Sequence, residues 1–163
     1  MKVVVSATAV ALSLIAGAAS AQAVRTEKNM SLELANQIAS ATVAACAANN
    51  YNVTAAVVDR AGTLRVLQRA DNAGPHTVGA AQGKAFTSAS AKAPTTAMLE
   101  NVQKNPGAAT LVDIPGFLIL GGGVPVKVGN EVIGAVGVGG APGGHLDEQC
   151  ANAGIAKVAD LLK

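Results

Sequence analysis

Three short apolar runs separated by glycines occupy the C-terminal half of the sequence, and they restrict its folding more than any other feature. Residues 117–120 end at a triple glycine, residues 124–128 end at a Gly-Asn pair, and residues 131–138 follow directly. Short runs rich in Val and Ile between glycine turns are typical of neighbouring strands. The third run is almost wholly apolar, which predicts that it is a central strand of a sheet.

The rest of the chain predicts a hairpin and four helices. Residues 52–58 and 63–67 have strand patterns, and the residues between them, Asp59 to Gly62, form a turn sequence. Apolar residues at helical spacing predict helices at residues 31–49, 77–90, 95–104 and 146–162, the first with Ser31 as its N-cap. The order αββααβββα predicts an α+β domain with one five-stranded antiparallel sheet and helices packed against it.

The N-terminus has the pattern of a secretory signal peptide. Lys2 precedes a small, apolar stretch from Val3 to Ala16, and Ala19-Ser20-Ala21 matches the A-x-A cleavage pattern. The alternative is a membrane anchor, but the apolar run is shorter than the roughly 20 residues of a spanning helix. We therefore expect a signal peptide over residues 1–21, cleavage after Ala21, and a single domain over residues 22–163. No other apolar run predicts a membrane span in the mature chain.

The two cysteines, Cys46 and Cys150, are the only ones in the sequence. Export would bring them into an oxidising compartment, where an even number of cysteines favours a disulfide bond. The alternative is a reactive or metal-binding pair of thiols, which neither a CxxC spacing nor an adjacent histidine supports. We expect a structural Cys46–Cys150 bridge.

The charged and aromatic residues argue against nucleic-acid binding. The 12 Lys and Arg residues are scattered, the formal net charge is +2, and one Tyr and two Phe are the only aromatic residues. Nucleic-acid binding usually shows a concentrated basic patch or stacking aromatics.

Two histidines are the remaining candidates for chemistry. His76 follows Gly74-Pro75 at the predicted start of a helix, where it is either a ligand to a bound group or metal, or a solvated helix-start residue. His145 stands beside Asp147 and Glu148 at the start of the last helix. These three residues are candidate ligands of a weakly held divalent metal. The acidic residues alternatively complement the helix dipole.

Two cations near these positions are candidates for binding an anionic ligand. Arg69 and Lys84 flank the loop and helix around His76, and such groups pair with carboxylates. The alternative is ordinary surface charge. No spacing indicates a hydrolase or dehydrogenase site.

The sequence resembles the GlcG/HbpS family of haem-binding and haem-degrading proteins, which also includes the C-terminal domain of the PduO proteins. The similarity covers essentially the whole mature chain. Its motifs are, in chain order, VVDRAG, KAFTS, GGGVPV and GAPGGHLDE. The resemblance implies a profilin-like αββααβββα fold, homo-oligomers from dimers to octamers, and a secreted subgroup that is periplasmic or extracellular.

The resemblance also implies haem as a cofactor, with haem degradation or iron holding as further possibilities. Haem needs an apolar slot, an axial ligand and cations for its propionates. His76 is the best axial candidate, and Arg69 or Lys84 are candidates for the propionates. Gly122 and Gly123 would let the backbone approach a flat ligand closely, because they carry no side chain.

Two other functions stay open at this point. One is a module that binds a small organic acid and reports to a protein partner such as a membrane sensor. The other is a non-catalytic oligomer that serves as a structural building block.

Overall fold

The computed structural model describes residues 23–163, so the predicted signal peptide and its cleavage site after Ala21 lie outside the described residues. The helices and strands are, in chain order, α1 (Leu32–Ala47), β1 (Thr54–Asp59), β2 (Leu64–Arg69), α2 (His76–Ala91), α3 (Thr95–Lys104), β3 (Gly123–Val128), β4 (Glu131–Gly139) and α4 (Gly144–Lys157). Two 3₁₀ segments, Pro106–Asp113 and Ala159–Leu161, complete the order. Across this part of the chain no helix combines the length and apolarity that a membrane span requires.

The four strands form one antiparallel sheet in the order β2-β1-β4-β3. β4 pairs on both sides, which confirms that residues 131–138 form a central strand. The β1–β2 hairpin is also confirmed. Its turn is closed by the Asp59 carboxylate, which accepts hydrogen bonds from the amides of Ala61 and Thr63.

The two faces of the sheet bury side chains of different size. Because successive residues of a strand point to opposite faces, Val57 and its neighbour Ala56 lie in different parts of the core. Val57 packs with α1 and α4 in a cluster rich in Val and Ile. Ala56 packs with α2 in a cluster built mainly from alanine. The sheet is therefore a layer between α1 and α4 on one side and α2 on the other.

The contact between α2 and β4 is unusually close because both sides lack large side chains. A Cβ atom added at Gly137 would overlap the carbonyl oxygen of Ala81 and the amide nitrogen of Ala85. Two residues further along β4, a Cβ atom at Gly139 would come within 3.2 Å of the Cβ of Ala80. The helix backbone thus rests almost directly on the strand backbone, and this fixes where every residue of α2 lies.

The prediction of a fifth strand at residues 117–120 is wrong, and the sheet has four strands. The amides of this segment bond elsewhere: Phe117 donates to the carbonyl of Ile114, and Leu118 donates to the Thr87 hydroxyl at 2.7 Å. Gly116 and Gly122 flank the segment with φ of +86° and +118°. The segment is therefore a linker that packs across α2, and it is not a strand.

The helix predictions are confirmed with small changes of boundary. Ser31 caps α1 by accepting a hydrogen bond from the Leu34 amide, and α3 has the predicted bounds. The last helix ends at Lys157 instead of residue 162, and the chain continues as a short 3₁₀ turn. The 3₁₀ segment Pro106–Asp113 was not predicted.

The Cys46–Cys150 disulfide is confirmed, and it joins α1 to α4 across a sequence separation of 104 residues. Both residues are buried in the larger core cluster. Beside it Gly154 of α4 packs directly on Thr42 of α1. The bond therefore holds together two helices that already pack closely.

Removing this bond should reduce stability substantially. For a loop of this length the chain-entropy contribution is about 4–5 kcal/mol, and measured losses are often smaller. We expect the Cys46→Ala/Cys150→Ala variant to show a lower free energy of unfolding in urea. Thiol titration of the unreduced, denatured wild type should find no free sulfhydryl, and one or two free thiols per chain would contradict the bridge.

Two glycine-to-alanine substitutions should have opposite effects on stability. Gly137→Ala forces α2 away from β4 and should lower the free energy of unfolding by at least about 2 kcal/mol. Gly79→Ala places a methyl group where no atom lies within 4 Å, inside a helix, and should raise stability by about 0.5–1 kcal/mol. Urea unfolding measures both. If both substitutions changed the free energy of unfolding equally, backbone propensity alone would explain them and the α2–β4 contact would not be needed.

Candidate functional site

Helix α2 carries two of the predicted site residues on different sides. His76 and Lys84 are eight residues apart, which rotates their side chains by roughly 80° around the helix axis. The structure accordingly separates the predicted residues into two neighbourhoods. His76 and Arg69 lie in one, and Lys84, Gly122, Gly123, His145, Asp147 and Glu148 surround the other.

The first neighbourhood lies beside a groove along the exposed side of α2. Its volume is about 310 Å³, and we call it the α2 groove. The lining residues are Gly62, Gly79, Gln82, Gly83, Phe86 and Gly116. At Gly79 the helix surface is open, because no atom lies within 4 Å of the position a Cβ atom would take, whereas at Gly83 the side chain of Leu118 comes within 3.1 Å of that position.

Phe86 closes one end of the α2 groove. Its ring fits between two glycines, and a Cβ atom would come within 2.8 Å of the ring at Gly62 and within 3.0 Å at Gly116. Phe117 packs against it edge to face, with the ring centroids 6.2 Å apart. Phe86 therefore gives the groove an apolar wall, and Phe117 packs against that wall.

His76 lies at the other end of the same side of α2. Its spacing to Gly79 and Gly83 is three and seven residues, which places all three on one helix face. Its imidazole is exposed as the first residue of the helix. The guanidinium of Arg69 donates to the carbonyl of Ala73 (Nε–O 2.9 Å), in the loop that leads to His76. The structure therefore brings His76 and Arg69 into one region.

The second neighbourhood is an apolar crevice at the N-terminus of α4. Its volume is about 340 Å³, and we call it the α4 crevice. The lining residues are Lys84, Thr96, Leu99, Leu120, Gly121, Gly144 and His145. It differs from the α2 groove in having charged side chains among its lining residues.

Lys84 forms a buried ion pair beside the α4 crevice. Its ammonium nitrogen lies 2.8 Å from Oδ2 of Asp147 and 2.9 Å from the carbonyl oxygen of Val138, and both side chains are about 95% buried. Oδ1 of Asp147 accepts a hydrogen bond from the Ala141 amide. Burial raises the pKa of the Asp147 carboxyl, while the hydrogen bond and charge of Lys84 and the Ala141 amide oppose the rise.

Gly122 and Gly123 are buried against this ion pair. A Cβ atom at Gly122 would come within 2.7 Å of the Cβ of Asp147, and one at Gly123 would overlap the carbonyl of Lys84. Gly122 therefore leaves space for Lys84 and Asp147 to meet, and Gly123 lets β3 approach the backbone of α2. A flat ligand could not lie on them without displacing that pair.

The three predicted metal ligands point to different partners. Asp147 binds Lys84, Glu148 accepts a hydrogen bond from the hydroxyl of Thr96, and His145 lines the crevice. Within residues 23–163 no three side chains of His, Cys, Asp or Glu are arranged to hold a metal ion. The pairing of each carboxylate with a neighbour explains why the sequence cluster is not a spatial one.

The sequence reasoning missed the α2 groove. Its signal was the pair Gly79 and Gly83 inside a segment otherwise suited to a helix. A helix interior does not favour glycine, so two glycines one turn apart indicate an open surface or a close approach, and the structure has the first at Gly79 and the second, with Leu118, at Gly83.

Comparisons with known proteins agree with this architecture. Residues 30–156 match a family described as haem-degrading, HbpS-like proteins. The chain belongs to the HbpS-like family. It is 40% identical to protein GlcG of Escherichia coli K12 over 109 residues, which cover 64% of this chain and 80% of GlcG.

Solved structures of family members resemble the whole fold. A double mutant of Streptomyces reticuli HbpS is 39% identical, with a TM-score of 0.79 over 94% of this chain and 98% of that one. A PduOC structure in complex with haem is 25% identical, with a TM-score of 0.70 over 78% of this chain and 94% of that one. The α+β fold with a helix-flanked antiparallel sheet is thus shared with a haem complex.

Loss of the Lys84 charge should make stability more dependent on pH. In Lys84→Met the pKa of Asp147 should rise further, because the hydrogen bond and charge that oppose its rise are gone. A carboxyl with a raised pKa holds its proton to higher pH in the folded state than in the unfolded state. The free energy of unfolding therefore falls as pH rises from the unfolded-state pKa to the folded-state pKa of this carboxyl.

We expect the stability difference between Lys84→Met and wild type to be larger at about pH 7 than at about pH 5. Urea unfolding at both pH values measures it. Lys104→Met is the control, because Lys104 pairs with Glu100 on the surface. A difference that does not change with pH would mean that Asp147 is not held by Lys84.

Proposed function

We propose that this protein binds haem in the α2 groove, with His76 as the axial ligand and Arg69 beside a propionate. Membership of the HbpS-like family and the haem complex of the related PduOC protein support the ligand class. The observation that carries the choice of place is the open surface of α2 at Gly79, which lies between His76 and Phe86 on the helix.

The residues of the groove suit a flat, apolar ligand. The space that a side chain at Gly79 would fill is open, so a ring system can lie against the helix backbone there. Phe86 and Phe117 supply apolar contact at one end, where aromatic rings prefer stacked or edge-on packing. A groove of about 310 Å³ holds part of a porphyrin and leaves the remainder in solvent.

His76 is the better of the two possible histidine ligands for this place. The sequence holds two histidines, and His145 lines the other cavity. Neutral imidazole is a common axial ligand of haem iron. Bound there, the haem would supply an iron centre for the oxidative chemistry after which the family is described. The chain's own part is to ligate and orient it at His76.

Arg69 replaces Lys84 as the proposed partner of a propionate. Lys84 is engaged by Asp147 in the protein interior, and a propionate would have to displace that carboxylate. Arg69 lies at the surface, and it donates to one backbone carbonyl. Its planar guanidinium retains donors for a carboxylate.

The remaining parts of the sequence prediction stay proposals. They are export after cleavage at Ala21, assembly into homo-oligomers, a haem-degrading or iron-holding role, and a membrane sensor as partner. Gel filtration with light scattering on the mature protein tests the second, and the others depend first on haem binding.

A hemin titration of the purified mature protein tests the proposal. We expect a Soret band distinct from that of free hemin, saturating at one haem per chain. His76→Ala should weaken hemin binding at least about tenfold and change the Soret position. His145→Ala is the matched control and should leave both unchanged.

Gly79→Leu tests the groove without touching the ligand. It fills the open space on α2 and should also weaken hemin binding at least about tenfold. Asn152→Leu, on the exposed side of α4, is its control. A His76→Ala protein that keeps its Soret band, or a His145→Ala protein that loses it, would contradict the proposed site.

A further inference from the structure

The side chains in and around the α4 crevice include both basic and acidic groups. Its lining residues include two basic side chains, Lys84 and His145, and no carboxylate. Two carboxylates lie next to this lining: the buried Asp147 is bonded to Lys84, and the partly exposed Glu148 accepts a hydrogen bond from Thr96. Lys84 and His145 are therefore the side chains that offer nitrogen donors to a ligand in the crevice.

Lys84 retains hydrogen-bonding capacity. An ammonium group has three hydrogens, and the hydrogen bonds found among residues 23–163 use two of them, toward Asp147 and Val138. The side chain is buried, so water has little access to the third. An acceptor atom on a ligand in the crevice would satisfy it.

The N-terminus of α4 also contributes positive electrostatic potential to the crevice. Gly144 and His145 are the first residues of this 14-residue helix and both line the crevice. No side chain caps this helix end. The first amides of a helix carry partial positive charge, so they reinforce the preference for an anion that Lys84 and His145 establish.

The rest of the crevice limits the ligand to a small one with an apolar body. Leu99 and Leu120 form apolar walls, and two glycines bring backbone close. A volume of about 340 Å³ is near the lower end of the roughly 300–1,000 Å³ found for small-molecule sites.

We propose that the α4 crevice is a second ligand site, which binds a short-chain monocarboxylate with its carboxylate toward Lys84 and His145 and its alkyl chain between Leu99 and Leu120. This site is distinct from the proposed haem site. The Lys84–Asp147 pair gives it a cation whose position is fixed before the ligand arrives.

The direct test is an NMR titration of ¹⁵N-labelled mature protein with sodium butyrate. We expect saturable shifts of the amide signals of Gly121, Gly144 and His145. Butyramide, which has the same alkyl chain and no charge, should leave these signals in place, and so should sodium chloride at equal ionic strength. Shifts that do not saturate, lie elsewhere, or appear equally with butyramide would overturn the proposal.

Two variants test how Lys84 and His145 contribute to butyrate binding. Lys84→Met/Asp147→Asn removes both members of the buried pair, so that no buried charge is left alone, and should weaken butyrate binding at least about tenfold. His145→Gln changes an exposed side chain and should weaken it at least about threefold. Lys104→Met is the matched control and should bind as wild type does. Unchanged affinity in both crevice variants would overturn the proposal.

Hemin competition separates the two sites. Saturating butyrate should leave hemin affinity unchanged, and loss of hemin binding under butyrate would overturn the assignment of two sites. Since butyrate binding is read without hemin, a protein that fails to bind hemin still gives a clear result for the crevice.

Discussion

The near contact between the backbones of α2 and β4 determines most of this structure. Gly137 faces Ala81 and Ala85 with no space for even one methyl group. Interiors are packed to crystal density, so a helix this close to a sheet excludes large side chains between them. This explains how a chain that is half apolar has only three aromatic residues. Its α2 layer is built from alanine and glycine, and the larger branched residues are on the other face.

The same contact produces both cavities. With α2 fixed on the sheet, Gly79 leaves an open surface on the outer side of the helix, and Leu118 of the linker segment packs on Gly83 beside it. On another side, Lys84 is directed to the end of β4, where Gly122 and Gly123 leave space for its ion pair. A small displacement of α2 would close the α2 groove and separate Lys84 from Asp147. Both candidate sites therefore depend on the packing of α2 against β4.

The sequence predicted features that depend on neighbours along the chain and missed those that depend on distant partners. The hairpin, the bounds of α3 and the central strand follow from local patterns. Residues 117–120 have strand composition, but the Thr87 hydroxyl binds the Leu118 amide, and no local pattern reveals a partner 31 residues away. His76 and Arg69 lie in one region because one short loop joins them, and this proximity follows from the sequence. Lys84 and Asp147 are 63 residues apart, and their pairing needed the fold.

The buried Lys84–Asp147 pair is not explained by stability. Taking two charges out of water costs several kcal/mol per ion, and replacement of such pairs by apolar residues is often neutral or stabilising. Burial also raises the pKa of Asp147, so its charged form is held at a cost even with Lys84 beside it. The pair does fix the positions of the elements around it. It joins α2, the end of β4 and the start of α4 through bonds to Val138 and Ala141. The pair therefore fixes a cation beside an apolar crevice, which is the feature that the proposed binding of a carboxylate uses.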